Sequence, residues 1–297
     1  MIFLKLYLNP GAHCRSPVFL CLNFKKGIKF MKYKVLKSCW ATVMMSAKQV
    51  FDGNILTISG EYFIKFMQFI MFTLIWKSLV KDGKSFDGAE LSQILTYSLM
   101  ASILKPQLDI VTPATSALWE GSIIGRYTRP VSVIESLAAE TIGRYWIPVF
   151  LFYSLPLWLL SPLLGINPLP ASFFNGIMAF VSLVLSISLG FALDLLFASF
   201  AIRLKNGCWA ATRARESIYS LLSGALIPFI FFPWGLGNVF RLLPFGSIGN
   251  APLTIYTGIE SEAIKIIVIQ IFWNVILWIA GIKIFKKSEE RMISFGG

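Results

Sequence analysis

The chain has 297 residues, of which 56% are hydrophobic and only 14% are charged, whereas a typical soluble domain has about 25% charged residues. Together with a mean hydropathy of +0.70, this composition excludes an ordinary soluble domain and indicates a membrane protein. The formal net charge of +12 does not by itself indicate nucleic-acid binding, because the position of the basic residues relative to the apolar stretches decides their role.

Residues 1–30 read neither as a signal peptide nor as a membrane span. Their apolar run is too short to cross a bilayer, and no small-residue cleavage site follows it. Met31 opens the stretch "MKYKVLKSCW", which reads like a natural start. We expect residues 1–30 to be a disordered extension or an upstream mis-start, and residues 31–297 to form a single transmembrane domain.

From Lys32 the sequence is amphipathic with a helical period. Lysines fall toward one side, and apolar residues recur at three- and four-residue steps on the other, at Leu36, Cys39, Trp40, Val43, Met44, Ala47, Val50 and Phe51. This pattern predicts an interfacial helix that lies in the headgroup plane with its apolar face toward the lipid. The alternative is a helix packed against the rest of the protein.

Six apolar stretches are long enough to cross a bilayer as helices, for which about 20 residues suffice. They cover residues 62–80, 91–108, 144–164, 173–202, 218–237 and 263–285. Helices are expected because each helix satisfies its own backbone groups where no water is present. The sequence therefore predicts an all-α, polytopic membrane protein with six transmembrane helices.

The basic residues are distributed unevenly about these stretches. Nine precede the first stretch, and four lie in or beside each of the segments that follow the second, fourth and sixth stretches. Because Lys and Arg are retained on the cytoplasmic side, both termini are expected in the cytoplasm. The positive charge then meets anionic lipid, and we expect no nucleic-acid partner.

Residues with catalytic potential are scarce. The single histidine, His13, lies outside every predicted span, so Ser223 has no histidine base and reads as a packing residue beside Gly224. No acidic pair with metal-ligand spacing lies within a span. The "DGKS" that begins at Asp82 lacks the first glycine of a phosphate-binding loop. We therefore expect a protein that is not an enzyme and that has no catalytic, metal or cofactor site of its own.

Asp194 is the one acidic residue well inside a predicted span. An ionised group there is costly, and it usually faces protein or a water-filled path. Asp194 is therefore a candidate for a role in gating or in a substrate path. The alternative is a structural hydrogen bond or ion pair.

The segment between the second and third spans is unusually polar for this chain and contains "WEGSIIGRYTRP", which begins at Trp119. Gly121 permits a tight turn, and Pro130 disfavours helix at Arg129, so a helix is expected to restart near residue 131. Arg126 and Arg129 offer charge to a partner surface. The alternative is a plain connecting loop.

The fifth predicted span contains residues that disturb a helix. Pro228 and Pro233 each remove a backbone donor, and Ser223 and Gly224 permit close helix approach. After Pro233 the chain stays apolar where it should lie outside the bilayer. This predicts short helices that re-enter the outer leaflet before the last span, the alternative being an external loop packed on the helix ends.

Three stretches resemble the membrane subunits of type-2 ABC transporters, in a branch of uncharacterised bacterial permeases. They are Trp119–Ser122 followed by "RPVSV", the stretch "CWAATRARESIY" before the fifth span, and "LLSGALIPFIFFPWGLGNVFRLLPF" leading on to "APLTIYTG". Their order and spacing around six spans carry the resemblance, which extends from about Met31 to Arg291. The family's usual leucine before the Arg-Pro pair is Thr128 here.

The resemblance implies a half-transporter in the bacterial inner (plasma) membrane. Two six-helix subunits, identical or related, would pair, and each would bind a separately encoded ATPase that holds ATP and Mg²⁺. The segment between the second and third spans would carry a coupling helix that contacts the ATPase through Trp119, Glu120, Gly121, Arg126, Arg129 and Pro130. The re-entrant element would help to close an outer gate, so the candidate gate or translocation-path residues are Asp194, Ser223, Gly224, Pro228 and Pro233.

The sequence thus predicts a permease subunit of an ATP-driven exporter. Because the spans hold almost no ionised groups, an apolar or amphipathic substrate is expected. The main alternative is an ion-coupled secondary transporter or channel without an ATPase, which usually needs ionisable groups or broken helices near mid-membrane. A membrane anchor or immunity subunit that transports nothing would have a similar sequence.

Overall fold

The computed structural model describes residues 35–52, 55–79, 90–129, 131–203, 207–260 and 262–294, so the expectations for residues 1–30 lie outside it. The secondary structure in these ranges is helical throughout. The main helices are α1 (35–51), α2 (Ile55–Leu79), α3 (Leu91–Leu108), α4 (Ala114–Trp119), α5 (Val133–Leu164), α6 (Phe173–Arg203), α7 (Gly207–Leu222), α8 (Leu236–Leu242), α9 (Pro244–Ile248), α10 (Asn250–Thr257) and α11 (Ala263–Ser294).

Three helices of the described chain are long and apolar enough to cross a membrane, which identifies a membrane protein. They are Val133–Leu164, Phe173–Phe200 and Ala263–Ser288. These helices contain the third, fourth and sixth predicted spans almost entirely. The first and second predicted spans are also helical, as α2 and α3, and α3 has the predicted bounds.

The chain does not run as one helix over residues 218–237, the fifth predicted span. The helix α7 begins earlier and ends at Leu222, after which Gly224 has a φ of 72°. Pro228 then has extended backbone with a ψ of 142°, so helix cannot continue through it. The three short helices α8, α9 and α10 follow, and their re-entry into the outer leaflet stays a prediction.

Side chains from other helices hold the break after α7. The buried Tyr97 of α3 donates its hydroxyl hydrogen to the Gly224 carbonyl oxygen at 2.8 Å, and its oxygen lies 3.1 Å from Oδ1 of Asn250 in α10. A Cβ on Gly224 would lie 3.0 Å from the Phe229 ring and 3.1 Å from the Asn250 Cβ. The break is therefore closely packed, and its carbonyl group has a donor.

A buried amide joins α6, α9 and α11. The Gln270 Nε2 donates to the Ser247 carbonyl oxygen at 2.7 Å and to the Ser186 hydroxyl at 3.0 Å. Its Oε1 accepts from the Ser182 hydroxyl at 2.9 Å. Because each bond crosses from one helix to another, the amide fixes the relative positions of these three helices.

The amphipathic helix α1 uses two faces. Val43 and Ala47 are buried, whereas Leu36 and Trp40 are 70% and 62% exposed. The buried face lies close to α5, since a Cβ on Gly143 would lie 2.2 Å from the Val43 carbonyl oxygen. The helix therefore packs on the protein through one face and leaves apolar side chains uncovered on another.

Two π-helical stretches, Ile142–Trp146 and Phe150–Ser154, interrupt α5. Each lies just before a proline, Pro148 or Pro156, which lacks the N–H for a helical hydrogen bond. The wider turns let the helix continue past these residues. Gly143 lies in the first stretch, where α1 approaches.

We predict that Gly143→Ala lowers the stability of the protein by about 1–3 kcal/mol, because the new methyl group would overlap the Val43 carbonyl oxygen. The measurement is the thermal unfolding midpoint in a fixed detergent. The matched control is Gly60→Ala in α2, where a Cβ meets nothing within 4 Å and alanine favours the helix. Equal midpoints for Gly143→Ala and the unmodified protein would contradict the packing of α1 on α5.

Candidate functional site

A largely buried charge cluster joins the end of α3 and the middle of α7 to the interior of α6. Arg215 of α7 is only 5% exposed, and its Nη2 donates to Oδ1 of Asp109 at 2.8 Å. Its Nε lies 3.8 Å from Oδ1 of Asp194, which is also buried. Two carboxylates thus share one guanidinium group. Together Asp109, Asp194 and Arg215 form the charge cluster.

Thr112 connects the charge cluster to α4. Its hydroxyl and its backbone N–H both donate to Oδ2 of Asp194, the N–H at 3.2 Å. The same hydroxyl oxygen accepts a hydrogen bond from the Ala114 N–H at 3.1 Å. Because Ala114 is the first residue of α4, Thr112 holds the start of that helix against α6.

Burial raises the pKa of Asp109, which follows the last residue of α3, although Arg215 and Lys105 oppose the rise. A raised pKa means that the folded protein binds this proton more tightly than the unfolded chain does. The contribution of Asp109 to stability therefore falls as the pH rises from its ordinary pKa through its pKa in the folded protein. Arg215 limits that loss by stabilising the ionised form.

The segment between α3 and α5, residues 109–132, is named the connector, and it is folded. Gly121 has a φ of 72° and precedes a 3₁₀ turn, Ser122–Arg126. The Arg126 Nη2 donates to Oε2 of Glu140 in α5 at 2.8 Å. This charge-assisted bond fastens the turn to the helix that follows the connector.

The connector exposes several apolar and charged side chains. Ile124 and Tyr127 are 45% and 50% exposed, and Glu120 and Arg129 are exposed as well. Aromatic residues and arginine are enriched in protein interfaces. Of the predicted ATPase contacts, Glu120 and Arg129 therefore remain accessible, whereas Arg126 is engaged within the protein.

Two further predicted contact residues, Trp119 and Gly121, lie at a helix end and at a turn of the connector. Trp119 is the last residue of α4, Gly121 forms the left-handed turn, and Pro130 lies outside the described residues. The Ser132 hydroxyl then accepts from the Glu135 N–H at 3.3 Å, and the Glu135 carboxylate accepts from the Ser132 N–H. This capping box starts α5 at residue 133, close to the restart expected near 131.

A half-open cleft of about 790 Å³ lies between α2, α3, α5 and α7. Aromatic side chains and serine hydroxyls share its wall, among them Phe69, Phe72, Ser98, Ser102, Ser217 and Ser220. Asp109 also lines it, so the charge cluster adjoins the cleft. The volume falls within the range of about 300–1,000 Å³ that is typical of small-molecule sites.

The predicted gate or path residues do not all meet at this cleft. Ser223 lines it, whereas Asp194 is connected to it through Arg215 and Asp109. Gly224, Pro228 and Pro233 belong to the break between α7 and α8. Asp194 accepts hydrogen bonds and has a basic neighbour, as a group with a structural role does. Its role in gating stays a prediction.

Sequence reasoning missed Thr112, Arg215 and Tyr97. A signal existed for Arg215, because a carboxylate inside an apolar helix requires a cation, and Arg215 lies in one of the few basic segments. No comparable signal exists for Thr112 or Tyr97, whose partners lie far away in the sequence.

Comparison with known proteins identifies no relative. No protein-family model, curated protein or solved structure matches the chain. Within the described ranges, no group of three or more His, Cys, Asp or Glu side chains could hold a metal ion. A function is therefore inferred from the geometry of the connector, the charge cluster and the cleft.

We predict that Arg215→Gln lowers stability by about 3–5 kcal/mol, because it leaves two buried carboxylates without a cation. The measurement is the unfolding midpoint in detergent. Arg213→Gln is the matched control, because Arg213 lies on the same helix, has a side chain that is 75% exposed and pairs with the partly exposed Glu216, so a change of at most about 1 kcal/mol is expected. Similar midpoints for the two variants would contradict the role of Arg215 in the charge cluster.

Proposed function

We propose that the chain is the membrane-spanning permease subunit of an ATP-driven ABC exporter. A separately encoded ATPase would bind ATP and Mg²⁺ and would contact the connector. The observation that carries the proposal is that the exposed connector is joined, through Thr112 and the charge cluster, to helices that line the cleft. The sequence resemblance to type-2 ABC permeases supports the same function.

The proposed topology has six spans in the bacterial inner membrane. They are α2, α3, α5, α6, the segment over residues 218–237 and α11, with both termini in the cytoplasm. The short helices α8 to α10 would form the re-entrant element on the outer side, and the uncovered face of α1 would lie in the inner headgroups. Surrounding lipid and a second permease subunit, either a copy or a relative, would cover the exposed apolar surfaces.

The proposed mechanism begins at the connector. ATP binding would draw the two ATPase subunits together and displace each connector with them. Thr112 would transmit this displacement from α4 to Asp194 in α6, and Arg215 would transmit it to α7 and to Asp109 at the end of α3. Because α3 and α7 line the cleft, its access would change between the two sides of the membrane, and hydrolysis would restore the first state.

An apolar or amphipathic substrate suits a cleft whose wall is rich in aromatic side chains and hydroxyl groups. The competing function is an ion-coupled secondary transporter that works without an ATPase. One observation favours it, namely that Asp109 and Asp194 share a single buried arginine, since intramembrane carboxylates can carry protons. The two functions differ in their energy source, and an experiment separates them.

We predict that an ATPase with a Walker motif copurifies with the chain from its native host, and that Arg129→Glu abolishes the association by reversing an exposed charge on the connector. The measurement is affinity purification followed by mass spectrometry at equal expression. Lys37→Glu in α1 is the control, because it makes the same charge change on an exposed residue outside the connector. Ion-driven transport by the purified chain alone would favour the secondary transporter.

We predict that Asp194→Asn changes the rate of ATP-driven transport while the ATPase still copurifies. The substitution leaves Asp109 and Arg215 as a balanced pair and preserves an acceptor for Thr112, but it removes one negative charge from the charge cluster. Transport in reconstituted vesicles is the measurement. A rate equal to that of the unmodified complex would assign Asp194 a structural role only.

A further inference from the structure

We propose that the cleft binds an amphipathic organic anion, a molecule with one negatively charged headgroup on an apolar body. The inference rests on the proposed function, because it takes the cleft as the substrate site and names the class of substrate. The headgroup would bind near Lys105, and the apolar body would lie against the aromatic part of the wall.

Each carboxylate of the cleft wall already accepts a hydrogen bond from an arginine. Oδ1 of Asp109 accepts from Arg215 at 2.8 Å. Oε2 of Glu216 accepts from Arg213 at 3.1 Å. Each carboxylate of the wall therefore already has a cationic partner, and Asp109 shares that partner with Asp194.

Lys105 is the lysine of the described wall that makes no direct ion pair, and its charge also favours the ionised form of the nearby Asp109. It lies in the last turn of α3, is exposed, and forms an ion pair with no described carboxylate. The other lysine of the wall, Lys65, already pairs with Glu61 at 3.0 Å. The free ammonium group of Lys105 therefore selects for a negative headgroup.

Trp146 supplies a second donor without an acceptor. It lines the cleft from α5, and its buried indole Nε1–H has no hydrogen-bond partner among the described residues. A buried donor of this kind is usually satisfied, so its presence at a binding cleft is informative. Because indole donates and does not accept, the matching ligand group is an acceptor such as a carboxylate or phosphate oxygen.

The rest of the wall matches an apolar body. Phe69 and Phe72 of α2, Val149 of α5 and Leu226 of the break after α7 line the cleft with apolar surface. The cleft volume of about 790 Å³ accommodates one small amphiphile rather than a protein segment with its own fold. A neutral amphiphile would use this surface but would leave Lys105 without a counter-charge.

The test uses the full chain in phosphatidylcholine nanodiscs, without an ATPase. The probe is dansyl-labelled undecanoic acid, compared with the alcohol and the amine of the same length, and binding is followed by fluorescence anisotropy. We predict that the acid binds about tenfold more tightly than the alcohol, and the amine more weakly than either, because a charge-assisted bond to Lys105 forms only with the acid.

Variants separate the headgroup contact from general damage. Lys105→Gln should reduce acid binding to the level of the alcohol and leave alcohol binding unchanged. Trp146→Phe should weaken acid binding, although it keeps an aromatic ring in the wall. Lys265→Gln, an exposed lysine outside the cleft, is the control and should change nothing. Equal affinities for acid and alcohol, or an equal loss of both in Lys105→Gln, would overturn the proposal.

A second set of nanodiscs identifies the source of the anion. These nanodiscs contain an equimolar mixture of phosphatidylcholine and phosphatidylglycerol, so that an anionic lipid competes with the probe. Weaker acid binding by the unmodified protein, with no such change in Lys105→Gln, would identify a bilayer lipid as the occupant. Undiminished binding would identify a free amphiphile, and both results retain the anionic class. Because binding is measured without an ATPase, a failure here is distinct from a failure of the copurification experiment.

Discussion

A polar group buried in this helical protein must find its partner within the protein, because apolar side chains and lipid offer none. The irregular parts of the fold depend on that constraint. Tyr97 supplies a donor to the Gly224 carbonyl oxygen at the break after α7, and Gln270 supplies one to Ser247 in α9. Without these side chains, the short helices that follow the break would expose unpaired backbone groups to an apolar surrounding. The long helices therefore carry the partners that the broken segment lacks.

The same constraint holds for the ionised groups of the charge cluster. It limits how far the connector can move. Asp194 has a partner only because Arg215 and Thr112 come from other parts of the chain. Thr112 belongs to the connector, so the connector cannot shift far without disturbing a buried carboxylate. A displacement at the surface is thereby coupled to the interior through bonds that are expensive to break.

Much of the helical content could be predicted from the sequence, because long apolar stretches have few alternatives to helix in a bilayer. Residues 91–108 and most of α6 follow directly from apolar length. Pro228 and Pro233 indicate that the helix is disturbed, but the end of α7 at Leu222 could not be predicted, since the residues directly beyond it are equally apolar and the packing around Gly224 contributes to the break. The charge cluster was accessible in part: the isolated charge of Asp194 indicates that a partner exists, but not that it is Arg215. Spacing along the chain carries no information about contacts between distant helices.

Serine hydroxyls in the cleft form hydrogen bonds within their own helices, whereas the buried Gln270 amide bonds to other helices. Ser102 donates to the Ser98 carbonyl oxygen at 2.9 Å and Ser220 to that of Ser217 at 3.0 Å, each within its own helix, whereas Ser102 also has a hydrogen-bond contact with Tyr153 of α5. Parting the walls at these positions would leave the two bonds within helices intact. The Gln270 amide, in contrast, bridges separate helices. The contact between α6 and α11 is therefore more rigid than the contacts between the helices that line the cleft.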